Sequence, residues 1–291
     1  MEVLRRDGGT VYTFSTTFTA AETDLVRGFG EEWTRFHAMA PKDLEVAGAE
    51  LFDLLPWSEL GPGTRVVDIG CGSGRWSEYL RERVGVIDAI DPSQAVIMAA
   101  GQHQDAANIR WSMAQAEDLP FADHSFDLAL CIGVLHHLER PERALQEAFR
   151  VLRPGGILLV YVYYALEQRG PLFRSLFRLA SGLRRLIHRA PGPVKRLVCD
   201  LLAIFVYWPL ATLSGLLKAM GMGFWYKMPL SFYHNKSFRV MRNDALDRFG
   251  TAVEKRYTRD MTADLLVNTG FSEVRFSEGP PYWHAFARRP L

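Results

Sequence analysis

Short apolar runs alternate with stretches of helical periodicity between residues 64 and 164. This alternation is typical of βαβ units, in which helices cover both faces of a mostly parallel sheet, and it predicts an α/β fold. Pro154-Gly155-Gly156 marks the end of one helix, because neither residue type continues a helix well. The predicted strands are 64–69, 84–90, 109–113, 126–132 and 157–163, and the predicted helices are 73–83, 93–104 and 141–152.

The pattern changes on both sides of this core. The first 60 residues have a helical pattern, and about eighty residues after Tyr164 contain no convincing strand. The α/β pattern then returns, since Thr258 is a suitable N-cap for a helix that closes at Gly270. The predicted domains are an N-terminal helical cap (1–60), a core (61–164), a helical insertion (165–243) and the completion of the core (244–291), with final strands at 274–277 and 284–288.

Three aromatic residues, Phe29, Trp33 and Phe36, are spaced i, i+4, i+7 in the N-terminal segment. This spacing places them on one face of a helix. The stripe fits packing against the core, and it also fits a lid over a ligand pocket.

A glycine-rich loop, Asp68-Ile69-Gly70-Cys71-Gly72-Ser73-Gly74, follows the first strand of the core and precedes a helix. Glycines at such a turn let the backbone approach a ligand closely, although a plain tight turn needs them as well. The loop lacks the glycine spacing of the dinucleotide fingerprint and the Lys-Ser/Thr ending of a phosphate-binding loop. Neither a pyrophosphate nor a nucleoside triphosphate is favoured.

Further segments accompany this loop in a fixed order: 90–93 (IDPS), 116–121 (AEDLPF) with 125–127 (SFD), 134–138 (VLHHL) and 150–156 (RVLRPGG). With these segments the sequence resembles the class I S-adenosylmethionine-dependent methyltransferases, in the subgroup of ubiquinone/menaquinone and small-molecule methyltransferases. The resemblance covers residues 60–164 well, the last thirty residues loosely and the insertion hardly at all. It implies a Rossmann-like, seven-stranded, mostly parallel sheet flanked by helices, with a helical lobe inserted after the fifth strand.

The resemblance also implies a site for S-adenosyl-L-methionine, which leaves as S-adenosyl-L-homocysteine. The glycine loop would pass under the methionine and ribose, Asp68 would hold the amino acid end, and Asp91 would accept bonds from both ribose hydroxyls. An alternative for Asp91 is a helix-capping or solvated carboxylate. Gln115 stands where an acid often binds the adenine amino group, and its amide oxygen can still accept that bond. The implied cofactor residues are Asp68, Gly70, Cys71, Gly72, Gly74, Asp91, Pro92, Gln115, Ala116, Glu117, Cys131 and Gly133.

Histidines supply the candidate catalytic groups. Methyl transfer from a sulfonium is an in-line displacement, so a base is needed only if the acceptor has a proton to lose. His136 and His137 follow the fourth core strand, and either could take a proton from a hydroxyl because imidazole titrates near neutral pH. His234 and the segment Tyr282-Trp283-His284 are further candidates. For each of these histidines, structural packing is the favoured interpretation.

Charge is distributed unevenly, although the net charge is +1. Residues 168–243 contain thirteen basic residues and a single acid, Asp200. Within them, 172–189 has the pattern of a basic amphipathic helix, with leucines at 172, 176, 179, 183 and 186 on one face. The run 197–217 has the length of a membrane span, yet Asp200 and Pro209 interrupt it, which argues against a true span.

Three interpretations of the insertion remain open. It is an acceptor-binding lobe or homodimer interface, or 168–217 contacts an anionic membrane surface, or it binds nucleic acid. The long apolar run disfavours nucleic acid, which aromatics scattered among basic residues would suit better.

The remaining composition points to the cytoplasm. Cys71, Cys131 and Cys199 are too few and too widely spaced for a disulfide framework or a zinc site, and the N-terminus lacks the apolar segment of a secretory signal. We therefore expect no metal and a cytoplasmic protein that can be peripheral to the membrane.

The function that we expect is methyl transfer to a small-molecule, sugar or lipid-like acceptor, at oxygen first. One alternative is C-methylation of an isoprenoid, quinone-like or lipid-linked substrate, and another is RNA methylation. A non-catalytic scaffold that keeps the fold is the alternative of a different class.

Overall fold

The computed structural model describes residues 2–6, 9–14, 23, 26, 40–167, 170–187, 189–250, 255–279 and 283–291. The chain divides into two compact units. The first, here called the core unit, comprises Met1–Ala165 and Lys255–Leu291; the second, the inserted unit, is Leu166–Glu254. The predicted end of the insertion, at residue 243, falls inside a helix that continues to Gly250.

The core unit is built on a nine-stranded sheet with the order β1-β2-β5-β4-β3-β6-β7-β9-β8. The five pairs from β2 to β7 are parallel, whereas β1–β2, β7–β9 and β8–β9 are antiparallel. The strands are β1 Glu2–Arg6, β2 Gly9–Thr13, β3 Arg65–Ile69, β4 Val86–Ile90, β5 Ile109–Met113, β6 Phe126–Ile132, β7 Leu152–Tyr161, β8 Ser272–Phe276 and β9 His284–Arg288. The predicted mostly parallel α/β fold is confirmed, with β3 to β9 as its seven predicted strands.

Burial on both faces explains why the central strands are almost wholly apolar. In β3, Val66 packs into the hydrophobic cluster on one face of the sheet and Val67 packs into the cluster on the other. Helices cover both faces: α1 Pro41–Leu51, α2 Arg75–Leu80, α3 Ala95–Gln102, α4 Pro141–Val151 and, near the end of the chain, α9 Arg259–Thr269.

The N-terminal prediction was wrong for residues 2–6 and 9–13. They form the hairpin β1–β2 rather than a helix, and β2 pairs in parallel with β5 through Val11 and Trp111. A local signal was present, since Asp7-Gly8-Gly9 has the composition of a tight hairpin turn. The pairing with β5 is long-range and has no local signature. The aromatic stripe Phe29, Trp33 and Phe36 lies outside the described residues.

The strand order fixes where a ligand can bind. From β3 the chain moves outward through β4 to β5, and it then returns to place β6 on the other side of β3. Connections therefore leave the carboxyl ends of β3 and β6 in opposite directions, which opens a crevice between them. The glycine loop follows β3, and Gly133 follows β6.

The inserted unit is helical over its described residues. It contains α5 Pro171–Ile187, α6 Gly192–Leu202, a π-helical turn Ala203–Tyr207, α7 Trp208–Ala219 and α8 Phe238–Gly250. Its small core joins Ala203, Tyr207 and Ala211 to Met241 and Ala245. This agrees with the predicted helical lobe after the fifth strand of the seven-stranded core.

Candidate functional site

The glycine loop adopts a conformation that side chains disfavour. Gly70, Gly72 and Gly74 have φ of +71°, +54° and +76°. A Cβ on Gly70 would lie 2.4 Å from Val134 Cγ2, and one on Gly74 would lie 2.4 Å from the Trp111 ring. Both the backbone angles and the space therefore require glycine at these two positions.

Backbone and side-chain hydrogen bonds join this loop to the end of β4. Cys71 N donates to Ile90 O at 2.8 Å, and Gly72 N donates to Asp91 Oδ2 at 2.9 Å. Ser93 donates to Asp91 Oδ1 through its amide at 2.8 Å and its hydroxyl at 2.5 Å. The loop after β3 and the carboxylate after β4 thus converge on one place, and Pro92 lies half-buried beside them.

Asp91 is buried, and burial raises the pKa of its carboxyl group. The hydrogen bonds from Ser93 and Gly72 act in the opposite direction, because they favour the ionised form. Three donors use part of the capacity of a carboxylate, which has about four acceptor positions. Ser93 Oγ also accepts from the backbone N–H of Ala95, the first residue of α3, whereas the N-cap position of this helix is Gln94.

Asp68, the fourth residue of β3, is also buried. Its Oδ2 accepts a hydrogen bond from Ser77 Oγ at 2.7 Å, which ties the strand to α2. The pKa of Asp68 is raised to about 6, mainly by burial and to a smaller extent by the negative charge of Asp91, while the hydrogen bond from Ser77 acts in the opposite direction. Two buried carboxyl groups therefore lie close together below the glycine loop, a costly arrangement that a cationic ligand group would relieve.

The other side of the crevice is formed at the end of β6. Gly133 has φ of +80°, and a Cβ built on it would meet none of the described atoms within 4 Å. Cys131 is buried in β6, where burial raises the pKa of its thiol well above the usual range and the charges of Asp68 and Glu117 add to that rise. Burial also raises the pKa of the Cys71 thiol, and the charges of Asp91 and Asp68 add to that rise. Both thiols are thus neutral at ordinary pH.

The segment Gln115-Ala116-Glu117 follows β5. Ala116 is buried, Gln115 and Glu117 are half-buried, and Gln115 forms an isolated bridge with Asp118. The negative charge of Glu117 contributes to the raised pKa of the Cys131 thiol in β6, and the contact of this segment with an adenine stays a prediction.

His136 and His137 lie in a short 3₁₀ turn, Leu135–His137, directly after β6. His136 is fully buried and stacks on Tyr163, with 3.9 Å between the ring centroids. The ring centroid of His137 lies 4.1 Å from that of His136 and 6.0 Å from that of Tyr163. The ring centroids of Tyr161 and His136 are 6.5 Å apart. The two histidines therefore belong to an aromatic cluster with Tyr161 and Tyr163, which the sequence analysis did not identify.

His234 is in the inserted unit, whereas His136 and His137 are in the core unit. Its Nδ1 lies 2.9 Å from Ser231 O, and its Nε2 lies 2.9 Å from Lys218 Nζ. Because Ser231 O can only accept and Lys218 can only donate, this geometry fits a neutral ring with the proton on Nδ1. A catalytic role for His234 remains a prediction.

A polar cluster that the sequence did not predict surrounds His284 at the start of β9. His284 Nε2 lies 2.7 Å from Asp53 Oδ1, and Ser277 Oγ donates to Asp53 Oδ2 at 2.6 Å. His284 is opposite Tyr161 in the β7–β9 pair. The sequence analysis named His284, but Asp53 is 231 residues away in the chain and gave no signal. Tyr282 lies outside the described residues.

The part of the chain that the structure describes contains no candidate metal site. No group of three or more His, Cys, Asp or Glu side chains there could hold a metal ion.

The sheet order and the site define a class of protein. An open, mostly parallel sheet with a glycine loop and an acidic residue at its switch point is a Rossmann-like, adenosyl-binding type of fold. The space beside Gly133 and the two buried carboxyl groups fit a ligand with hydroxyl groups and a positive charge.

Comparison with known proteins identifies the class more narrowly. A family described as "Methyltransferase domain" matches residues 67–160. The ubiquinone/menaquinone biosynthesis C-methyltransferase UbiE of Roseobacter denitrificans is 32% identical over 134 residues, which are 44% of this chain and 53% of that protein. The ubiquinone biosynthesis O-methyltransferase of Pseudomonas fluorescens is 30% identical over 115 residues, which are 38% of this chain and 47% of that protein. The chain thus spans about half the length of these relatives.

A solved structure agrees on the fold. Human N-acetylserotonin methyltransferase, crystallised with S-adenosylmethionine, has a TM-score of 0.55 at 17% identity, covering 95% of this chain and 61% of that one. Residues 67–160 therefore match a methyltransferase domain family, and the likeness to this structure shows that the two chains share a fold.

Proposed function

We propose that this protein transfers a methyl group from S-adenosylmethionine to a small-molecule, sugar or lipid-like acceptor, with oxygen as the first choice of acceptor atom. The observation that carries this proposal is the hydrogen bond from Gly72 N to Asp91 Oδ2, which brings the glycine loop and a buried carboxylate to one point. That point lies at the switch of strand order, where open α/β sheets bind ligands.

The residues present can hold this cofactor. Asp91 has remaining acceptor capacity for a ribose hydroxyl, and Asp68 places a buried carboxyl group where a positively charged amino group would favour its ionised form. Gln115 and Glu117 lie at the neighbouring strand end, where they would contact the adenine. The sulfonium supplies an already activated methyl group, so what the chain must do is hold the acceptor in line with it.

His137 is the better candidate for the general base. His136 is fully buried and stacked on Tyr163, which favours a packing role, whereas His137, also buried at 5% exposure, is not stacked on Tyr163, since their ring centroids are 6.0 Å apart and the rings nearly perpendicular. For a hydroxyl acceptor, His137 would take the proton as oxygen attacks the methyl carbon, and the sulfonium would leave as the neutral thioether.

C-methylation is the second candidate, because UbiE is named as a C-methyltransferase while another relative is named as an O-methyltransferase. The two outcomes are separable by experiment. Incubation with cofactor labelled in the methyl group, followed by fractionation of cell extract and analysis of the labelled product, should give a methyl ether or a C-methyl group. If no fraction accepts the label, the proposed activity is contradicted.

The role of His137 has a matched control. His124 is an exposed histidine of the same unit, on the loop before β6. With the acceptor identified, we expect His137→Asn to lower kcat roughly 100-fold, within the usual range for a general base, and His124→Asn to leave kcat unchanged. Full turnover by His137→Asn would remove its role as base and leave the methyl transfer itself standing.

A further inference from the structure

The inserted unit contains one long helical rod. The segments α6, the π-helical turn and α7 follow each other without a break from Gly192 to Ala219, and the junction residues Ala203 and Trp208 keep helical backbone angles. By length and composition this rod could cross a membrane, and in the described residues it is the one helix that could.

One side of the rod is covered by α8. Ala203, Tyr207 and Ala211 are buried in the small core of the unit. On the same side, Arg242 makes two hydrogen bonds to Asp200, at 2.9 and 2.6 Å, and Tyr207 Oη donates to Asp244 at 3.1 Å. The single acid of the basic segment is therefore paired within the unit.

The opposite side of the rod is apolar and exposed. Seventeen of the 22 large exposed apolar side chains in the described residues belong to the inserted unit. Along the rod, the exposed residues 197, 201, 205 and 208, and again 216 and 220, are three or four positions apart, which places them along one side of the helix. We call this stripe the apolar face: Leu197 (60% exposed), Leu201 (42%), Phe205 (72%), Trp208 (54%), Leu216 (57%) and Met220 (72%).

Only 28% of the most apolar part of the rod is buried, so it is not the core helix of a soluble domain. An apolar face that extends along about 35 Å of helix differs from the single scattered exposed residues of an ordinary monomer. Aromatic residues continue it beyond α7, since Phe224 and Tyr226 are 47% and 53% exposed. Surfaces of this kind mark an interaction site.

Charge indicates the partner. Residues 168–243 have thirteen basic residues against Asp200, which is paired with Arg242. Among the described ones, Arg178, Lys218, Lys227 and Arg239 have exposed side chains. An exposed apolar helix face with a tryptophan, in a segment this rich in basic residues, is typical of helices that lie in the interface of an anionic membrane.

We propose that the apolar face of the inserted unit docks on the surface of a bilayer that contains anionic lipids, with the rod lying in the plane of the interface. A span across the bilayer would bring the Asp200–Arg242 pair and the polar residues of α8 into hydrocarbon, which is costly. A rod in the interface keeps α8 on the aqueous side. This docking is independent of the methyl acceptor and holds for any proposed activity of the core unit.

Vesicle flotation with the purified full-length protein tests the docking. We expect the protein to float with phosphatidylcholine vesicles that contain phosphatidylglycerol, to stay at the bottom with phosphatidylcholine alone, and to be released by high salt or by alkaline carbonate. Failure to float with the anionic vesicles overturns the proposal, and so does retention after carbonate treatment, which would show a membrane span instead.

A pair of matched variants locates the docking surface. Phe205→Glu combined with Leu216→Glu places charges on the apolar face at exposed positions, and Val267→Glu places one at a 57% exposed position on α9 of the core unit. We expect the double variant to bind anionic vesicles at least ~10-fold more weakly and Val267→Glu to bind as the wild type does.

Circular dichroism checks that both variants fold. Equal binding by the double variant overturns the proposal. A dimer in light scattering that the double variant disrupts, together with no vesicle binding by the wild type, would assign this face to a second copy of the chain and would also overturn it.

Discussion

Gly70 shows how a single residue sets the shape of the cofactor loop. Its φ is +71°, and a Cβ there would lie 2.4 Å from Val134 Cγ2. Gly221 has nearly the same φ, +72°, with no described atom within 4 Å of a Cβ. We expect Gly70→Ala to lower stability by about 1–3 kcal/mol and to abolish measurable cofactor binding, because the loop must shift away from Val134.

The control variant, Gly221→Ala, has the same backbone strain without the clash. We expect its free energy of unfolding to fall by about 1 kcal/mol and its cofactor affinity to be unchanged. Urea unfolding and titration with the cofactor measure both quantities, and equal cofactor affinity in the two variants would contradict the account of Gly70.

Asp68 gives a pH-dependent prediction. Its pKa of about 6 in the folded protein is above the value of 3.8 for an unperturbed aspartate. The folded state therefore binds the proton more tightly, and the stability that this proton contributes is present below about pH 4 and is lost as the pH rises through about 6.

In Asp68→Asn this loss should disappear, because the amide stays neutral and can still accept from Ser77. Urea unfolding of both proteins should show that, between about pH 4 and about pH 7, the free energy of unfolding of the wild type falls by on the order of 2 kcal/mol relative to that of the variant. Parallel stability curves would mean that Asp68 is not held in the environment described.

Sequence patterns could identify residues whose role is local. The glycines of the loop and Asp91 belong to short segments at strand ends, and the structure joins them by a 2.9 Å hydrogen bond. The contact between Asp53 and His284 was not predictable, because the two residues meet only when α1 and β9 pack on the finished sheet.

At the scale of elements, the start of α9 is a clear example of a predicted cap. Thr258 Oγ1 accepts from Met261 N at 3.1 Å, and Gly270 ends the helix with a φ of +110°. We expect Thr258→Ala to lower the free energy of unfolding by about 1 kcal/mol.

Thr258→Ser keeps the hydroxyl and serves as the control, with nearly wild-type stability in the same denaturation measurement. If the serine and alanine variants are equally destabilised, the hydroxyl does not cap this helix.

Elements that depend on distant partners were harder to predict. Helical periodicity correctly indicated α4 and α9, and short apolar runs correctly indicated β3 to β6. The hairpin β1–β2 was missed because β2 is stabilised by pairing with β5, about a hundred residues later in the chain.

At the scale of the whole molecule, the insertion leaves and re-enters the core unit at neighbouring points. Ala165 N donates to Tyr257 O at 2.8 Å, and Lys255 N donates to His136 O at 2.8 Å. Replacement of residues 166–254 by a short Gly/Ser linker should therefore leave the core unit folded, because little chain is needed to close the gap.

The shortened protein should bind S-adenosylmethionine as tightly as the full chain and should not float with anionic vesicles. Calorimetry and flotation measure the two properties. A shortened protein that unfolds, or that still floats, would contradict the division into these two units.

The fold of the core unit was predictable because its pattern repeats strand by strand. The function of the inserted unit was not, since its leucines and basic residues fit an acceptor lobe or dimer interface, a membrane surface and, less well, nucleic acid, and the sequence does not show which side of the rod is exposed.

The most direct test of the account is calorimetric titration of S-adenosylmethionine into the wild type, Asp91→Ala and the control Asp105→Ala, which removes a carboxylate from an ion pair with Arg81. We expect one cofactor per wild-type chain, an affinity roughly 10- to 100-fold lower for Asp91→Ala, and no change for Asp105→Ala. A wild type that binds no cofactor, or an Asp91→Ala variant that binds it as tightly as the wild type, would contradict the claim that the glycine loop and Asp91 form its binding site.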